Sequence, residues 1–352
     1  MVGKSMAYGN SPKDRVETPP KGQGVHYLVV GEDDAGQRLD NYLLRELKGV
    51  PRTHVYRLLR KGELRVNSKR AKPDQRVQAG DRLRIPPLRR PDAEPASRPA
   101  PRTLQEQVNA AILHEDDDII VLNKPAGIAV HGGSGMSHGV IEALRAARPE
   151  MTSLDLVHRL DRETSGCLVV AKRRPALRDL HAQLREGQVE KRYLALVCGK
   201  WDLGKKRIEL PLDTSERRSG ERHVAVRAHG AAAVSTFRPV QFFGRLASLL
   251  EVEIGTGKTH QIRVHAAYAG HPVAGDDKYG DRERNAELRD YGLRRMFLHA
   301  ASIGFNRPGT QEPMMISAPL GEDLKAVLDA LLKAPRGRRA AGRRRARSAA
   351  GR

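Results

Sequence analysis

The spacing of hydrophobic residues predicts a small folded module near the start of the chain. Leu39, Leu43 and Leu47 recur every four residues, which predicts an amphipathic helix that ends near Gly49. A second helix is expected to open at Pro51, with its hydrophobic and basic residues on opposite faces. Short hydrophobic runs next to turn residues predict strands at 63–67, 75–77 and 81–86.

The longer second part of the chain has more runs typical of strands than runs typical of helices. Runs rich in β-branched residues predict strands at 119–122, 128–130, 167–172, 192–199, 233–237 and 248–254. Hydrophobic residues at helical spacing predict helices at 139–147, 175–186, 260–269 and 322–332. Because the strands outnumber the helices and do not alternate strictly with them, the predicted fold class is α+β. We expect a mixed, largely antiparallel sheet rather than a doubly wound fold.

Composition separates the two modules and sets off the ends of the chain. Residues 89–102 are rich in Pro and Ala, which predicts a linker between a module at 25–88 and a module at 103–333. Residues 1–24 and 334–352 lack a core-forming pattern, and the second of these tails is mostly Arg, Ala and Gly. Both ends are therefore expected to be disordered.

Charge narrows the class of partner. The chain has 63 Lys and Arg against 42 Asp and Glu, a formal net charge of +21, which favours nucleic acid or an anionic membrane surface. No apolar run is long enough to span a bilayer, and the N-terminus lacks the apolar core of a secretion signal. Cys167 and Cys198 lie in apolar runs, as buried thiols do in a reducing compartment. We therefore expect a cytoplasmic protein with no membrane partner.

One carboxylate, Asp161, lies between Arg159 and Arg162 in the segment HRLDRETSG (158–166). Nearby guanidinium groups favour the ionised form of a carboxyl, which suits nucleophilic chemistry on a polyanion held by arginines. The same residues are also typical of a helix N-terminus with ordinary surface ion pairs. On spacing alone both interpretations stay open.

Parts of two familiar cofactor motifs occur, but neither motif is complete. The segment GTGKT (255–259) ends like a phosphate-binding loop, but Val252 stands where that loop needs its first glycine. His260 and His265 are five residues apart, not the four that align two zinc ligands on a helix. The sequence therefore predicts no nucleotide hydrolysis, no metal and no cofactor.

The small module resembles the S-four-type RNA-binding domain over nearly all of residues 36–87. The matching segments are RLDNYL, PRTHVYRLLRKGELRVN and VQAGDRLRIP. The resemblance implies that the second helix lies against structured RNA, with Arg52, His54, Arg57 and Lys61 as candidates for backbone contact. A solvated basic face is the alternative. Since RNA helices present shape and phosphates rather than readable bases, such a module is expected to anchor and orient its substrate.

The larger module closely resembles the RluA-like family of ribosomal large-subunit pseudouridine synthases. The resemblance rests on HRLDRETSG, EKRYLAL, TGKTHQIRVHAAYAGHPVAGDDKYG, MFLHAASIGF and SAPLGEDLKAVL. With the small module included, it covers roughly residues 30–332. Such an ordered series of motifs does not recur by chance.

The family resemblance implies a role for each matching residue. Asp161 matches the catalytic aspartate that acts at the ribose anomeric carbon, Arg263 its basic partner, and Ile262 the apolar residue packed beneath it. Tyr193 matches the tyrosine that stacks on the target uracil and helps to remove the proton at its carbon-5. Arg159 matches the residue that occupies the space left by the flipped-out uridine, and flipping is required because the reacting bond is inaccessible inside a stack.

Further residues of the same motifs are expected to contact the substrate, namely Arg162, His260, Gln261 and Lys258. Lys258 stands where the family usually has an arginine, so it keeps the charge but loses bidentate geometry. A ring in the protein core is the alternative for Tyr193. Asn123 and Lys124 are expected to form a turn that shapes the site, with a phosphate contact by Lys124 as the alternative.

The predicted function is conversion of several uridines of large-subunit (23S) ribosomal RNA to pseudouridine by a monomeric enzyme without cofactor. Two alternatives stay open. One is a noncatalytic RNA-binding or ribosome-assembly factor, and the other is a synthase that acts on transfer RNA or on other ribosomal sites.

Overall fold

The computed structural model describes residues 24–47, 49–88, 99–132, 138–213, 215, 217–218 and 221–334. The chain divides into two compact units, Met1–Ser97 and Arg98–Arg352, and the division falls within the predicted linker. The predictions for 1–23 and 335–352, and for most of 89–102, concern residues outside the described ranges.

The first unit packs two helices on a four-stranded antiparallel sheet. Its elements are β1 (His26–Val29), a 3-10 turn (Glu32–Asp34), α1 (Leu39–Glu46), α2 (Arg52–Lys61), β2 (Arg65–Val66), β3 (Lys69–Arg70) and β4 (Arg82–Ile85). The strand order is β1-β4-β2-β3. Leu39, Leu43 and Leu47 are all buried, so the four-residue spacing that predicted α1 is the spacing of its core contacts.

This unit differs from the sequence prediction, which did not include β3. The strand predicted at 75–77 is wrong, because Arg76 forms only an isolated bridge with Arg38. The strand β1, by contrast, was not predicted. Its alternating exposed and half-buried residues pair with β4 along one edge of the sheet.

The second unit contains the remaining helices and strands. They are α3 (Arg102–Ala110), β5 (Ile112–Glu115), β6 (Ile119–Lys124), α4 (Val140–Ala147), β7 (Asp155–Leu156), β8 (Ser165–Ala171), α5 (Arg174–Glu186), β9 (Glu190–Cys198), β10 (Lys206–Glu209), β11 (Leu212–Asp213), β12 (Arg217–Arg218), β13 (Glu221–Arg222), β14 (Ala225–Val226), β15 (Val234–Phe243), β16 (Ala247–Ile254), α6 (Gln261–Tyr268), α7 (Arg282–Arg289), β17 (Leu298–Asn306), β18 (Pro313–Ser317) and α8 (Glu322–Lys333).

Ten of the described strands form one sheet. Eight follow the order β10-β15-β16-β9-β17-β8-β6-β5, while β18 pairs with β17 and β7 pairs with β8. The pairing of β8 with β17 is parallel, and the other neighbouring pairs are antiparallel. The predicted α+β class with a mixed, largely antiparallel sheet is therefore confirmed. No helix in the described part of the chain is long and apolar enough to cross a membrane.

The segment after β6 differs from its prediction. The strand predicted at 128–130 is wrong, and Asn123 and Lys124 belong to the end of β6 rather than to a turn. The chain turns after them, where Gly127 adopts a left-handed φ of 85°. Val130 is buried without belonging to a strand, so its apolar run reflects core packing and not sheet pairing.

Three neighbouring strands bring the candidate residues to one place. Ala300 on β17 lies opposite Gly166 at the start of β8 and opposite Tyr193 on β9. Gly166 has a φ of 110°, and a Cβ atom at this position would lie 2.2 Å from the carbonyl oxygen of Ala300. Only glycine fits here. Because Gly166 packs so closely on Ala300, the loop that carries Asp161 ends near the strand that carries Tyr193.

Candidate active site

The loop that carries Asp161 is held by its backbone. The amide of Thr164 donates to the carbonyl of Asp161 at 3.1 Å, which closes a turn around the aspartate. The carbonyl of Arg162 accepts a hydrogen bond from the amide of Gly127, and the Nε atom of Arg162 donates to the carbonyl of Gly127 at 3.0 Å. His158 accepts from the amide of Val169 through Nε2 at 3.2 Å. The loop is thus fixed to β8 and to the turn after β6.

Lys124 is buried beneath this loop. Its Nζ atom donates to the carbonyl oxygens of Pro125, Ile128 and Arg162 at 2.7, 2.8 and 3.1 Å. Burial lowers the pKa of Lys124 to about 7, while the charges of Glu163 and Asp161 oppose this shift. Three acceptors also favour the ammonium form, because only that form has three N–H donors. All three donors are used within the protein, so the alternative of a phosphate contact by Lys124 is wrong.

Asp161 and Arg263 are in direct contact although 102 residues separate them in sequence. The Nη1 atom of Arg263 donates to Oδ2 of Asp161 at 3.1 Å. Arg263 lies in the first turns of α6, and its side chain is 11% exposed against 25% for Asp161. The aspartate is therefore the more accessible partner of a largely buried pair.

A second carboxylate, Asp276, holds the other side of Arg263. Nε and Nη2 of Arg263 donate to its two oxygens at 2.7 and 2.9 Å, which is the bidentate geometry that orients a guanidinium firmly. The amides of Lys278 and Tyr279 also donate to Asp276, whose side chain is fully buried. Burial raises the pKa of Asp276, but the hydrogen bonds and charge of Arg263 outweigh it, so the net shift is downward.

His260 and Tyr279 complete the surroundings of the aspartate. Tyr279 accepts a hydrogen bond from the amide of Val224 at 3.0 Å, and its hydroxyl lies 2.8 Å from Nδ1 of His260. Since the hydroxyl already accepts from an amide, its proton is available for Nδ1, which leaves the proton of a neutral imidazole on Nε2. This Nε2 atom lies 4.0 Å from Oδ2 of Asp161. Burial lowers the pKa of His260 to about 4, so the ring is neutral at pH 7.

The lowered pKa of His260 predicts a loss of stability in mild acid. An unfolded histidine has a pKa of 6.5, so between pH 6.5 and 4 the unfolded chain binds more protons than the folded chain. The contribution of the neutral His260 to the free energy of unfolding is fully present above pH 6.5 and is lost as the pH falls through the folded pKa. At about 1.4 kcal/mol per pKa unit, the total loss is about 3 kcal/mol. Urea unfolding between pH 4.5 and 7.5 measures this change.

A variant at the same position isolates this contribution. His260 has a φ of 53°, and asparagine is among the side chains that tolerate this conformation best. In His260→Asn the free energy of unfolding should fall less steeply between pH 6.5 and 4, by up to about 1.4 kcal/mol per pH unit. Equal slopes in the two proteins would show that His260 is not the titrating group.

Two connected hollows surround these residues. The smaller, of about 70 Å³, is lined by Arg159, Leu160, Asp161, Tyr193, Ile254, Gly257, Lys258, His260, Gln261, Ile262, Arg263 and Leu298. The larger cleft, of about 600 Å³, shares Asp161, His260 and Arg263 with it and extends towards α7. The structure therefore brings Asp161, Tyr193 and Arg263 together, as the family resemblance implied.

Tyr193 is mostly buried but faces the smaller hollow. Burial, with a further contribution from the charge of Asp161, raises the pKa of Tyr193 far above its ordinary value. Its phenol is therefore protonated at neutral pH. This favours ring stacking over action as a tyrosinate base.

The other predicted contacts divide into two groups. Arg159, Arg162 and Lys258 are exposed at the rims of the hollows, where a polyanion can reach them. Ile262 is a buried apolar wall. The amide of Gln261 is already engaged, since it accepts from Thr256 and from the amide of Lys258 and donates to Val234 and Ser235. This favours a role for Gln261 in shaping the turn over direct substrate contact.

The candidate RNA-binding residues of the first unit lie on α2. Arg52, Arg57 and Lys61 are exposed and His54 is half-buried, while Val55, Leu58 and Leu59 form the opposite, buried face. Arg52 also donates to the hydroxyl of Tyr56 at 3.2 Å. The predicted basic face of this helix is thus present.

Sequence reasoning missed the roles of Asp276 and Tyr279. Both lie in GDDKYG, a segment that contributed to the family resemblance but offered no separate signal for these two side chains. Among the residues that the structure describes, no three His, Cys, Asp or Glu side chains come close enough to hold a metal ion.

Comparison with known proteins identifies the class of this site. A family model described as RNA pseudouridylate synthase matches residues 118–268, and a model of the S4 domain matches residues 37–83. The solved structure of human RNA pseudouridylate synthase domain containing 4 aligns with a TM-score of 0.54 at 25% identity, over 65% of this chain and 96% of that one.

Curated relatives are similar over nearly their whole length. Ribosomal large subunit pseudouridine synthase C of Pasteurella multocida is 52% identical over 309 residues, which span 88% of this chain and 94% of the relative. The protein of the same name from Escherichia coli is 51% identical over 324 residues, which span 91% and 99%. The chain therefore belongs to the family of RNA pseudouridylate synthases.

Proposed function

We propose that this chain converts several uridines of 23S ribosomal RNA to pseudouridine. The observation that carries the proposal is the 3.1 Å contact between Asp161 and Arg263 beside the hollow lined by Tyr193. The relatives of about 51% identity are named ribosomal large subunit pseudouridine synthase C, which supports large-subunit RNA as the substrate. The RNA-binding S4 domain supports the same class of partner.

The reaction rearranges bonds within one nucleotide. With the uridine flipped out of the RNA, the carboxylate of Asp161 acts at the ribose C1′ atom as the N1–C1′ bond breaks and N1 keeps the electron pair. After the uracil turns, its C5 atom forms the new bond to C1′, the C5 proton passes to water, and N1 takes up a proton from water. No atom is gained or lost overall, so no cofactor is needed.

The surrounding residues prepare this step. Arg263 orients the carboxylate of Asp161 through its hydrogen bond before the substrate arrives, which is electrostatic preorganisation. Tyr193 stacks on the uracil against the apolar wall of Ile262. The neutral His260 offers its Nε2 proton on the side of Asp161, where the ribose lies. Arg159 fills the space that the flipped base leaves in the RNA, and Arg162 and Lys258 contact phosphates.

The first unit anchors the substrate. Arg52, His54, Arg57 and Lys61 of α2 contact the RNA backbone, since RNA helices offer phosphates and shape more readily than base edges. Specificity then comes from the shape of the RNA, and more than one uridine can be accepted. We further propose that the protein acts as a monomer in the cytoplasm, without a metal ion.

Treatment of unmodified transcripts with the protein tests this function. Transcripts of 23S, 16S and transfer RNA are incubated with the protein, and pseudouridines are mapped by chemical labelling and primer extension. Pseudouridine at several positions of the 23S transcript alone is the expected result. Product only in the other transcripts would support a synthase with different targets, and tight binding without any product would support a noncatalytic assembly factor.

A further inference from the structure

The larger cleft carries more positive charge than its catalytic residues require. Arg162, Arg263, Lys278, Arg289, Arg294 and Arg295 line it, against the carboxylates of Asp161, Glu163, Asp276 and Asp277. Three of these arginines already pair with acids. Arg263 binds Asp161 and Asp276, Arg162 lies 3.3 Å from Glu163, and Arg295 donates to Asp323 at 2.6 Å.

Arg289 and Arg294 differ from these three. Both side chains are exposed, and neither forms an ion pair with any acidic residue that the structure describes. Within the described residues, the side chain of Arg294 donates a hydrogen bond to the carbonyl of Arg289 at 3.0 Å, which holds the two residues together at the C-terminal end of α7. Two guanidinium groups without carboxylate partners on a concave surface are suited to bind anions.

The segment that carries them is fixed to the catalytic residues. Asn285 of α7 is buried, accepts from the amide of Gly275 at 2.8 Å and donates to the carbonyl of Asp276 at 3.1 Å. Leu288 and Leu293 are buried next to the two arginines in sequence and anchor the end of the helix. The loop that orients Arg263 therefore also fixes the position of α7, so the two arginines have a defined place in the cleft that contains Asp161.

We propose that Arg289 and Arg294 bind backbone phosphates of the RNA strand next to the reacting uridine. The proposal rests on the proposed function for the identity of the polyanion. The smaller hollow takes the flipped base, and the adjoining cleft of about 600 Å³ takes the sugar-phosphate chain that leads from it. Arginine can hold a phosphate in bidentate geometry, so these contacts position the strand without reading its sequence.

The salt dependence of RNA binding tests the proposal. Each phosphate contact on a single strand contributes about −0.7 to the slope of log K against log salt, so Arg289→Gln/Arg294→Gln should flatten the slope by about 1.4. The same relation predicts binding of the 23S transcript that is about ten- to thirtyfold weaker at 0.1 M salt. We expect KM to rise with little change in kcat, and Arg289→Lys/Arg294→Lys should restore most of the slope.

Arg282→Gln is the matched control. It removes the same charge from the other end of α7, from an exposed residue that does not line the cleft. A double variant with an unchanged slope, or a control that flattens the slope as much per charge, would overturn the proposal. If the wild-type protein makes no pseudouridine but the double variant still flattens the slope, the proposed reaction fails while this phosphate site stands.

Discussion

Asp161→Asn is expected to abolish pseudouridine formation while RNA binding is retained. The carboxamide has the size of the carboxylate but lacks its charge, so it cannot act at C1′ when the bond to N1 breaks. The loss should be on the order of 10⁴-fold or more in single-turnover rate, the scale seen when a central catalytic group is removed. Release of tritium from carbon-5 of labelled uridine measures the rate, because the reaction expels this hydrogen.

The fold should tolerate this substitution. Arg263 keeps both hydrogen bonds to Asp276, so its charge remains compensated after Asp161 is neutralised. Asp117→Asn is a suitable control, since Asp117 is an exposed carboxylate of the same unit that lines neither hollow. A tritium release rate for Asp161→Asn close to that of Asp117→Asn would rule out a catalytic role for Asp161.

The architecture could be predicted where the spacing of hydrophobic residues reflects which face of an element is buried. The helices expected at 139–147, 175–186, 260–269 and 322–332 are all present within two residues of their predicted ends. The strand expected at 128–130 failed for a physical reason. Its apolar residues pack into the core from an irregular segment, and a short apolar run does not distinguish the two cases.

The site was predictable as a set of residues but not as a geometry. Family resemblance selected Asp161, Tyr193 and Arg263, and the structure brings all three to one hollow. The role of Lys124 could not be predicted from the sequence, because a lysine side chain is normally exposed to solvent. Only the fold reveals that its charge is buried against three carbonyl oxygens.

Asp276 shows the same limit more sharply. In GDDKYG two adjacent aspartates look equivalent, yet Asp276 is fully buried and Asp277 is exposed. The difference arises from contacts with Arg263, which lies 13 residues earlier in the sequence. No local pattern records which of two neighbouring carboxylates meets a buried guanidinium.

Asp276→Asn is expected to lower the free energy of unfolding more than any of the other substitutions. Removing one partner of a buried ion pair costs about 3–5 kcal/mol, because the other charge stays buried without full compensation. We expect about 3 kcal/mol, the lower end of this range, since Arg263 retains its contact with Asp161. Urea unfolding measures the change in the free energy of unfolding, and the tritium release assay measures kcat at a temperature where the variant is folded.

The expected effect on kcat follows from the direction of the contacts. Arg263 presents Nη1 to Asp161 only while its opposite edge is fixed by two hydrogen bonds to Asp276. With an amide in place of the carboxylate, one of those bonds meets an N–H group, and the guanidinium is free to rotate away from the aspartate. We therefore expect kcat to fall with little change in KM, because Asp276 positions a catalytic group and does not hold the RNA.

Asp277→Asn is the control. It removes the neighbouring exposed charge and should change the free energy of unfolding by less than about 0.5 kcal/mol. If Asp276→Asn matched Asp277→Asn in both stability and kcat, Asp161 alone would be sufficient to hold Arg263, and the buried carboxylate would have no part in orienting the site.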